Sequence, residues 1–532
     1  MSKLPAQTSD AIHPNGLVDG LPHRATPTRR WVLGYFALAL VVYATSAGLA
    51  LWQQAAVQLG HASSVFAGND PPMPGDGVDY DSIACSILRG EGFGHRAGDP
   101  TFREPYMPYF EGDLAERFGG GYATLLNHNY TVDGWRLIDP GQPKPDVFAP
   151  TAFRPPGYPA LLAGVYALSD RSFLAVRLLQ GVFAAGAATF AMMLAWRFGG
   201  PWAGRLAGAL MLIEPGLHWS APQFMTESIA ALVVALLAWS IVAAGTSGKA
   251  RYALLAGATL GVGALFRNSF VLWLPMTAGL IWLAMRYAAV YAQGLKNRDR
   301  TPGFWRRPFV LACAAGAIAV AIPAPWWVRN VVLLEAPMPL GTQGGIGLPG
   351  GYSEYAYAGY PEEAAPFNLY FRKGVWVYLD PVGFFDDVAR QAAERGDSPI
   401  ESERAWAKHG QAYALDWAKH NPGKVVELVG WRLYRHATGP LSVHVMVLTG
   451  VGVLLAKPWR HPGFWVPVGL ILVNAAIVGA MWSAGGRFAA AVAPLAVALG
   501  SVGLMGFGHR LRTRARPSAG GPRSGPPKNA GA

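Results

Sequence analysis

The sequence predicts an all-α polytopic membrane protein with about ten transmembrane helices and two long extracytoplasmic segments carrying interfacial helices. Three observations predict it. Of 532 residues, 52% are hydrophobic and only 14% are charged, against about 25% charged in a typical soluble domain. The apolar residues gather in runs long enough to cross a hydrocarbon core of about 30 Å at about 1.5 Å per residue. The basic residues cluster at Arg29–Arg30, Lys249–Arg251, Lys296–Arg307, Lys457–Arg460 and Arg510–Arg516. These clusters fall on one side of the membrane if both chain ends are cytoplasmic. That topology accounts for the net charge of +12, and no nucleic-acid partner is expected.

Each element follows in order. Residues 1–30 are polar and rich in Pro and Thr, a disordered cytoplasmic tail. Trp31 to Trp52 carries no charge and forms the first span. It is longer than the ~7–15 residues of a signal-peptide core, and its polar leader is long. A first external loop covers 53–170. Within it, Tyr80 to Arg89 places Ile83, Ala84, Ile87 and Leu88 at helical spacing and stops at Gly90, which fits a helix lying on the membrane surface. Residues 94–150 are rich in Pro, Gly and aromatics and read as irregular. Residues 157–168 are apolar but too short to span, so a second interfacial or half-inserted helix is expected there.

Further spans are expected at about 172–197, 201–218, 221–245, 251–268, 269–293 and 308–328, with the frequent Gly and Ala that close packing in lipid requires. A second external segment covers 330–440. Its Gly-rich stretch 341–351 lacks the flanking strand, helix and Lys of a phosphate loop and reads as a flexible loop near the site. Ser398-Pro399-Ile400-Glu401 is a capping box with Pro at the first helical position, and predicts a helix to His420, ended by Pro422. Three spans at about 441–456, 463–482 and 488–507 close a transmembrane domain of residues 31–507. Residues 508–532 are a basic, Gly/Pro-rich and disordered cytoplasmic tail.

Cys85 is expected in the first external loop and Cys313 in the inner half of a helix, so the two do not meet. The histidines show no metal-ligand spacing, and neither a metal nor a cofactor is expected. Asn129-Tyr130-Thr131 matches a glycosylation acceptor, a short and often fortuitous pattern.

Charges at the edge of membrane helices need a partner or a function. This chain offers Asp76, Asp79, Asp81, Arg154, Glu227, Arg267, Arg329 and Arg487, all at or near the external ends of spans in this topology. Taken singly, the aspartates could be solvated loop residues, the arginines could snorkel, and Glu227 could favour a helix N-terminus. Arg487 opens a span from the external side, against the positive-inside tendency. Converging on one surface, the acids would handle a hydroxyl proton and the arginines would hold an anionic group such as phosphate.

A series of motifs runs along the chain. Asp76 precedes Tyr80, Ala84 and Gly90-x-Gly92-Phe93. Arg154-Pro155-Pro156 opens an aromatic helix start that runs to Pro159. Thr226-Glu227 begins a middle span, and Leu265-Phe266-Arg267 ends a helix. Pro325-Trp326 precedes Arg329-Asn330, and Arg487-Phe488 precedes Pro494. In this order the set resembles the GT-C fold membrane glycosyltransferases. More narrowly it resembles the superfamily of protein O-mannosyltransferases, lipid A aminoarabinose transferases and bacterial galacturonosyltransferase-like proteins, glycosyltransferase family 39-like. The resemblance covers residues 31–500. It departs from the family at Gly77, where a second acid often follows the first, so that Asp79 becomes an alternative acid.

The resemblance implies a polyprenyl-phosphate-linked sugar donor and a lipid, glycan or protein acceptor, joined with inversion at the extracytoplasmic face of the plasma (inner) membrane. It implies Asp76 as general base, with Asp79 or Glu227 as alternative or supporting acid. Arg154, Arg329, Arg267 and Arg487 would contact the donor phosphate, and Tyr80 and Tyr158 would line the cavity. An oligosaccharide ligase using a lipid-diphosphate donor is an alternative on a similar fold. A transporter or flippase is disfavoured by the gathering of ionisable residues at one face. The sequence leaves the sugar, the acceptor and the oligomeric state open.

Overall fold

The apolar first segment forms α1 (Arg29–Leu59), the start of an all-helical architecture. The computed structural model describes residues 26–59, 76–96, 98–109, 147–293, 306–358, 386–456, 462–481 and 487–515. The Asn129 triplet and most of both tails lie outside them.

After α1 come α2 (Asp76–Leu88) and α3 (Gly157–Ser169), the two helices expected in the first external loop. Most of the segment between them read as irregular lies outside the described residues. Its two ends pair as an antiparallel ladder of β1 (Gly94–His95) and β2 (Ala149–Pro150), with Gly94 opposite Pro150. α2 packs on α3. Their contact is a small aromatic core that includes Tyr80, Phe102, Tyr106, Tyr158, Tyr166 and Phe173.

Next is α4 (Phe173–Met211), capped by Ser172 Oγ, which accepts from the Ala175 amide at 3.2 Å. Its helical run is broken at Gly200 (φ 76, ψ −170). There the chain turns back on itself, so that Gly204 faces Trp196 and Met192. A residue with a Cβ rarely adopts this conformation, and Pro201 begins the return arm. The first arm covers the stretch expected at 172–197, whereas the return arm ends at Met211, short of the expected 201–218, and a separate helical turn follows at Pro215–Ser220. α1 lies against both arms, with Trp31 beside Trp196 (ring centroids 6.3 Å) and Tyr35 donating to the Gly208 carbonyl at 2.8 Å.

The bundle continues with α5 (Glu227–Ser247), α6 (Ala250–Phe266) and α7 (Leu274–Gln293). α8 (Arg306–Ala321) and α9 (Ala324–Leu334) follow. The sequence predicts one span over 308–328, whereas the structure bends by 45° between α8 and α9. Pro323 lies at the break, where it supplies no amide to the helix ladder.

The Gly-rich stretch is not a loose loop. Gln343–Gly347 and Leu348–Gly350 form helical turns packed on α10 (Pro399–His420). α10 begins at the expected capping box and ends at the expected residue. A further helix, α11 (Pro422–Thr438), was not foreseen, and it meets α12 (Val443–Ala456) at 87°. Pro422 stops α10 but, at the first position of a new helix, loses no hydrogen bond. The chain closes with α13 (Trp465–Ala480) and α14 (Ala493–Ala515).

The largest buried cluster is built of Ala, Leu and Val from α1, α4–α8 and α12–α14. Among the described residues, three helical stretches are long and apolar enough to cross a membrane, and two bent pairs pass the same test together. Cys85 and Cys313 are both free, the first buried and the second exposed.

Candidate active site

The N-terminus of α2 carries Asp76 and Asp79, one turn apart on a face turned toward the bundle. The turn before α3 carries Arg154, and Pro155-Pro156 fixes the backbone on its far side. Arg154 Nη2 lies 2.8 Å from Asp76 Oδ1. Arg154 Nε donates to Asp79 Oδ2 at 2.9 Å, and Nη2 donates to the same oxygen. The second Asp76 oxygen takes Arg487 Nη2 at 3.0 Å. Arg487 Nε then lies 3.1 Å from Glu227 Oε1, and Arg267 Nη1 lies 3.8 Å from that oxygen.

The result is one alternating ionic chain: Asp79, Arg154, Asp76, Arg487, Glu227, Arg267. Its three carboxylates and three guanidiniums cancel in formal charge, as buried ions require. Four separate parts of the bundle supply it: α2, the α3 entry, the α5 N-terminus with the α6 C-terminus, and the turn before α14. Phe488 supports two members, with Arg267 at 5.1 Å and Arg487 at 5.2 Å from its ring centroid.

The members differ in access. The Asp76 side chain is 24% exposed and Asp79 only 6%. Glu227 is 1% exposed, and neither of its oxygens receives an aligned hydrogen bond among the described residues. Burial alone would push the Asp76 carboxyl up. The Arg154 and Arg487 guanidiniums outweigh that and hold it well below the usual carboxylate range.

Tyr80 and Tyr158 sit beside the ionic chain as packed wall. Their rings meet edge to face at 4.8 Å, and Arg154 lies 5.3 Å from the Tyr80 ring centroid. The Tyr158 hydroxyl accepts from Gln180 Nε2 at 2.9 Å. Burial pushes both phenols up, so neither serves as a base near neutrality.

Two candidates sit elsewhere. Arg329 does not share the Asp76 ion pairs. Its guanidinium donates to the Thr151 carbonyl at 2.7 Å and the Phe93 carbonyl at 3.2 Å, and lies 4.4 Å from the Trp326 ring centroid. Asp81, two residues past Asp79, lies on the other side of α2 and is fully buried. It accepts from Tyr166 Oη at 2.6 Å, Tyr106 Oη at 2.8 Å and Arg171 Nη2 at 2.6 Å. Arg171 and Gln180 escaped the sequence reading. Arg171 lies in a polar turn with the look of ordinary surface. Gln180 had one signal, a lone amide in an apolar span.

Residues 153–327 match the family described as dolichyl-phosphate-mannose-protein mannosyltransferase. The matched stretch contains Arg154, Tyr158, Glu227 and Arg267, and excludes Asp76, Arg329 and Arg487. The match bears out the resemblance to GT-C glycosyltransferases. No curated protein matches the chain significantly. Among solved structures, ArnT from Cupriavidus metallidurans in the apo state is 15% identical, covering 90% of this chain and 78% of that one, at a TM-score of 0.34. ArnT from the same organism bound to undecaprenyl phosphate is 14% identical, covering 91% and 79%, at a TM-score of 0.35.

Proposed function

We propose that this GT-C-type membrane glycosyltransferase transfers a sugar from a polyprenyl-phosphate donor to an acceptor hydroxyl, with inversion, at the extracytoplasmic face of the inner membrane. Asp76 is the general base. The observation that carries the reading is the position of Asp76 between two guanidiniums, as the most accessible carboxylate of a largely buried ionic chain.

The chemistry needs these groups together. An acceptor hydroxyl is a poor nucleophile, and a carboxylate within hydrogen-bond reach takes its proton as the oxygen attacks the anomeric carbon. The bond from that carbon to the phosphate oxygen breaks, and the lipid phosphate leaves with the electron pair. Charge grows on the leaving phosphate in the transition state, where Arg154 and Arg487 stabilise it, with Arg267 assisting. Glu227, buried and with acceptor capacity to spare, orients a hydroxyl of the sugar or of the acceptor. Arg329 contributes by holding the carbonyls of Thr151 and Phe93 beside the donor. Asp79 is too enclosed to reach an acceptor and serves to hold Arg154.

The resting ionic chain also implies a sequence of events. Clamped by two arginines, Asp76 is a weak base. A donor phosphate that draws on the same guanidiniums loosens the clamp, and the basicity of Asp76 rises when the donor is in place.

The test is mass spectrometry of envelope glycolipids and glycoproteins from cells with and without this protein. A sugar increment missing without it, and restored by the wild type but not by Asp76→Asn, is the expected result. Identical profiles, together with no transfer by purified protein from polyprenyl-phosphate sugars, would remove the proposed activity.

A further inference from the structure

α10 is an amphipathic helix whose buried stripe runs through Ser402, Trp406, Ala407, Gly410, Ala414 and Trp417. Glu403 lies within that stripe and is 3% exposed. A carboxylate there needs full hydrogen bonding. It finds its donors on two distant segments. Thr151 Oγ1 donates at 2.6 Å across 252 positions of sequence, the Ala152 amide at 3.0 Å and Thr342 Oγ1 at 2.5 Å. Thr342 in turn donates its amide to the Ala152 carbonyl at 3.2 Å. Gly341 precedes it at φ +79, and a Cβ there would fall 2.0 Å from the Ala152 oxygen, so only glycine allows this approach.

We infer that Glu403 is a positioning residue for Arg154, holding the Thr151–Ala152 backbone at the place from which the Arg154 guanidinium reaches Asp76 and Asp79. The short segment between Ala152 and α3 has two anchors. On one side Glu403 grips Thr151 and Ala152. On the other, Pro155-Pro156 restricts the chain before Gly157 opens α3. Arg154 lies between them. Arg329 holds the Thr151 carbonyl from the opposite direction, so the strap is clamped from both the α9 and α10 sides. Burial pushes the Glu403 carboxyl up, and the three donors facing it oppose that. The second long segment of the chain thus sets the geometry of an arginine in the first.

This inference rests on the phosphate-binding role proposed for Arg154. The test measures binding of undecaprenyl phosphate to the purified full chain in detergent. Glu403→Ala and Glu403→Asp, the latter one methylene shorter, are expected to weaken binding by about tenfold or more. Glu403→Gln keeps one oxygen to accept from the Ala152 amide and the Thr342 hydroxyl and offers its amide to the Thr151 hydroxyl, which can turn to accept, and is expected to stay within about threefold of wild type. The double variant Arg154→Ala with Glu403→Ala binds no more weakly than Arg154→Ala alone, because Glu403 acts through Arg154. A role in stability alone would lower the unfolding temperature of Glu403→Ala and leave its affinity unchanged, which overturns the inference; so do independent, additive losses in the double variant. Failure of the wild type to bind the lipid phosphate counts against the proposed donor instead. Coupling of the same two substitutions in thermal unfolding then decides the inference, with additivity overturning it.

Discussion

Arg487 Nη2 lies 3.0 Å from Asp76 Oδ2, joining residues 411 positions apart. The contact brings the turn before the final helix onto the first turn of α2. It divides the cationic work at Asp76 between two arginines, one at each oxygen.

Replacing Asp76 by Asn removes the proton acceptor and keeps the size. Turnover is expected to fall by about 10²–10⁴-fold, the usual contribution of a positioned base. Thermal unfolding of the variant, run beside single-turnover rates, separates lost chemistry from lost fold. Full turnover in Asp76→Asn would exclude it as the base.

The Asp76 carboxyl is depressed in the folded protein. Its contribution to stability is therefore present above the unfolded carboxylate value of ~3.9 and is lost as pH falls through the lower folded value. The acid limb of kcat/KM due to Asp76 in the free enzyme is expected below ~4. If donor phosphate loosens the clamp, the acid limb of kcat lies above that of kcat/KM. Arg487→Ala should raise the free-enzyme limb toward the ordinary value, and an unmoved limb would show that Arg487 does not set it.

Arg154→Ala leaves Asp79, 6% exposed, without this cation. Destabilisation of about 3–5 kcal/mol is expected for breaking such a pair from one side. Adding Asp79→Asn should return part of that stability without returning activity. Chemical or thermal unfolding of the single and double variants measures the recovery.

Asp81→Asn tests the separation of the two acid clusters. It disrupts the contacts to Tyr106, Tyr166 and Arg171. The unfolding temperature should drop while kcat/KM, assayed well below it, stays within about twofold. A kinetic loss as large as that of Asp76→Asn would place Asp81 in the reaction.

Gly200→Ala forces a side chain into φ 76, ψ −170 at the reversal of α4. A loss of about 1–3 kcal/mol in stability is expected, read by thermal unfolding, with the donor affinity of the folded fraction unchanged.

Much of the architecture was legible because its signals are local. The capping box at Ser398 to Glu401 satisfies helix donors within one turn, and the helix forms where it is written. The α8–α9 bend at Pro323 is not specified by the apolar run that contains it, because such a run tolerates a proline in a kinked span as readily as in a straight one. α11 was missed because its polar, amphipathic face resembles that of a solvated segment. The Gly-rich stretch read as loose because backbone packing on another helix leaves no trace in composition. For the site, Asp76, Arg154, Glu227, Arg267 and Arg487 were visible as charges at apolar edges, where each is costly without a partner. Glu403 carried a similar signal, a carboxylate in the apolar stripe of an amphipathic helix, but its partners lie in other parts of the chain.

The sequence by itself determined that the chain is a helical membrane protein and which charged residues, lying at the edges of apolar runs, need partners, since hydropathy and the cost of isolated charge act residue by residue. Only the tertiary structure decided the pairing. It joined Asp76 to Arg154 and Arg487, sent Asp81 to Arg171, and turned Arg329 toward backbone carbonyls. Ion pairs and hydrogen bonds act over a few ångströms in space, and helix packing alone determines which distant residues come that close.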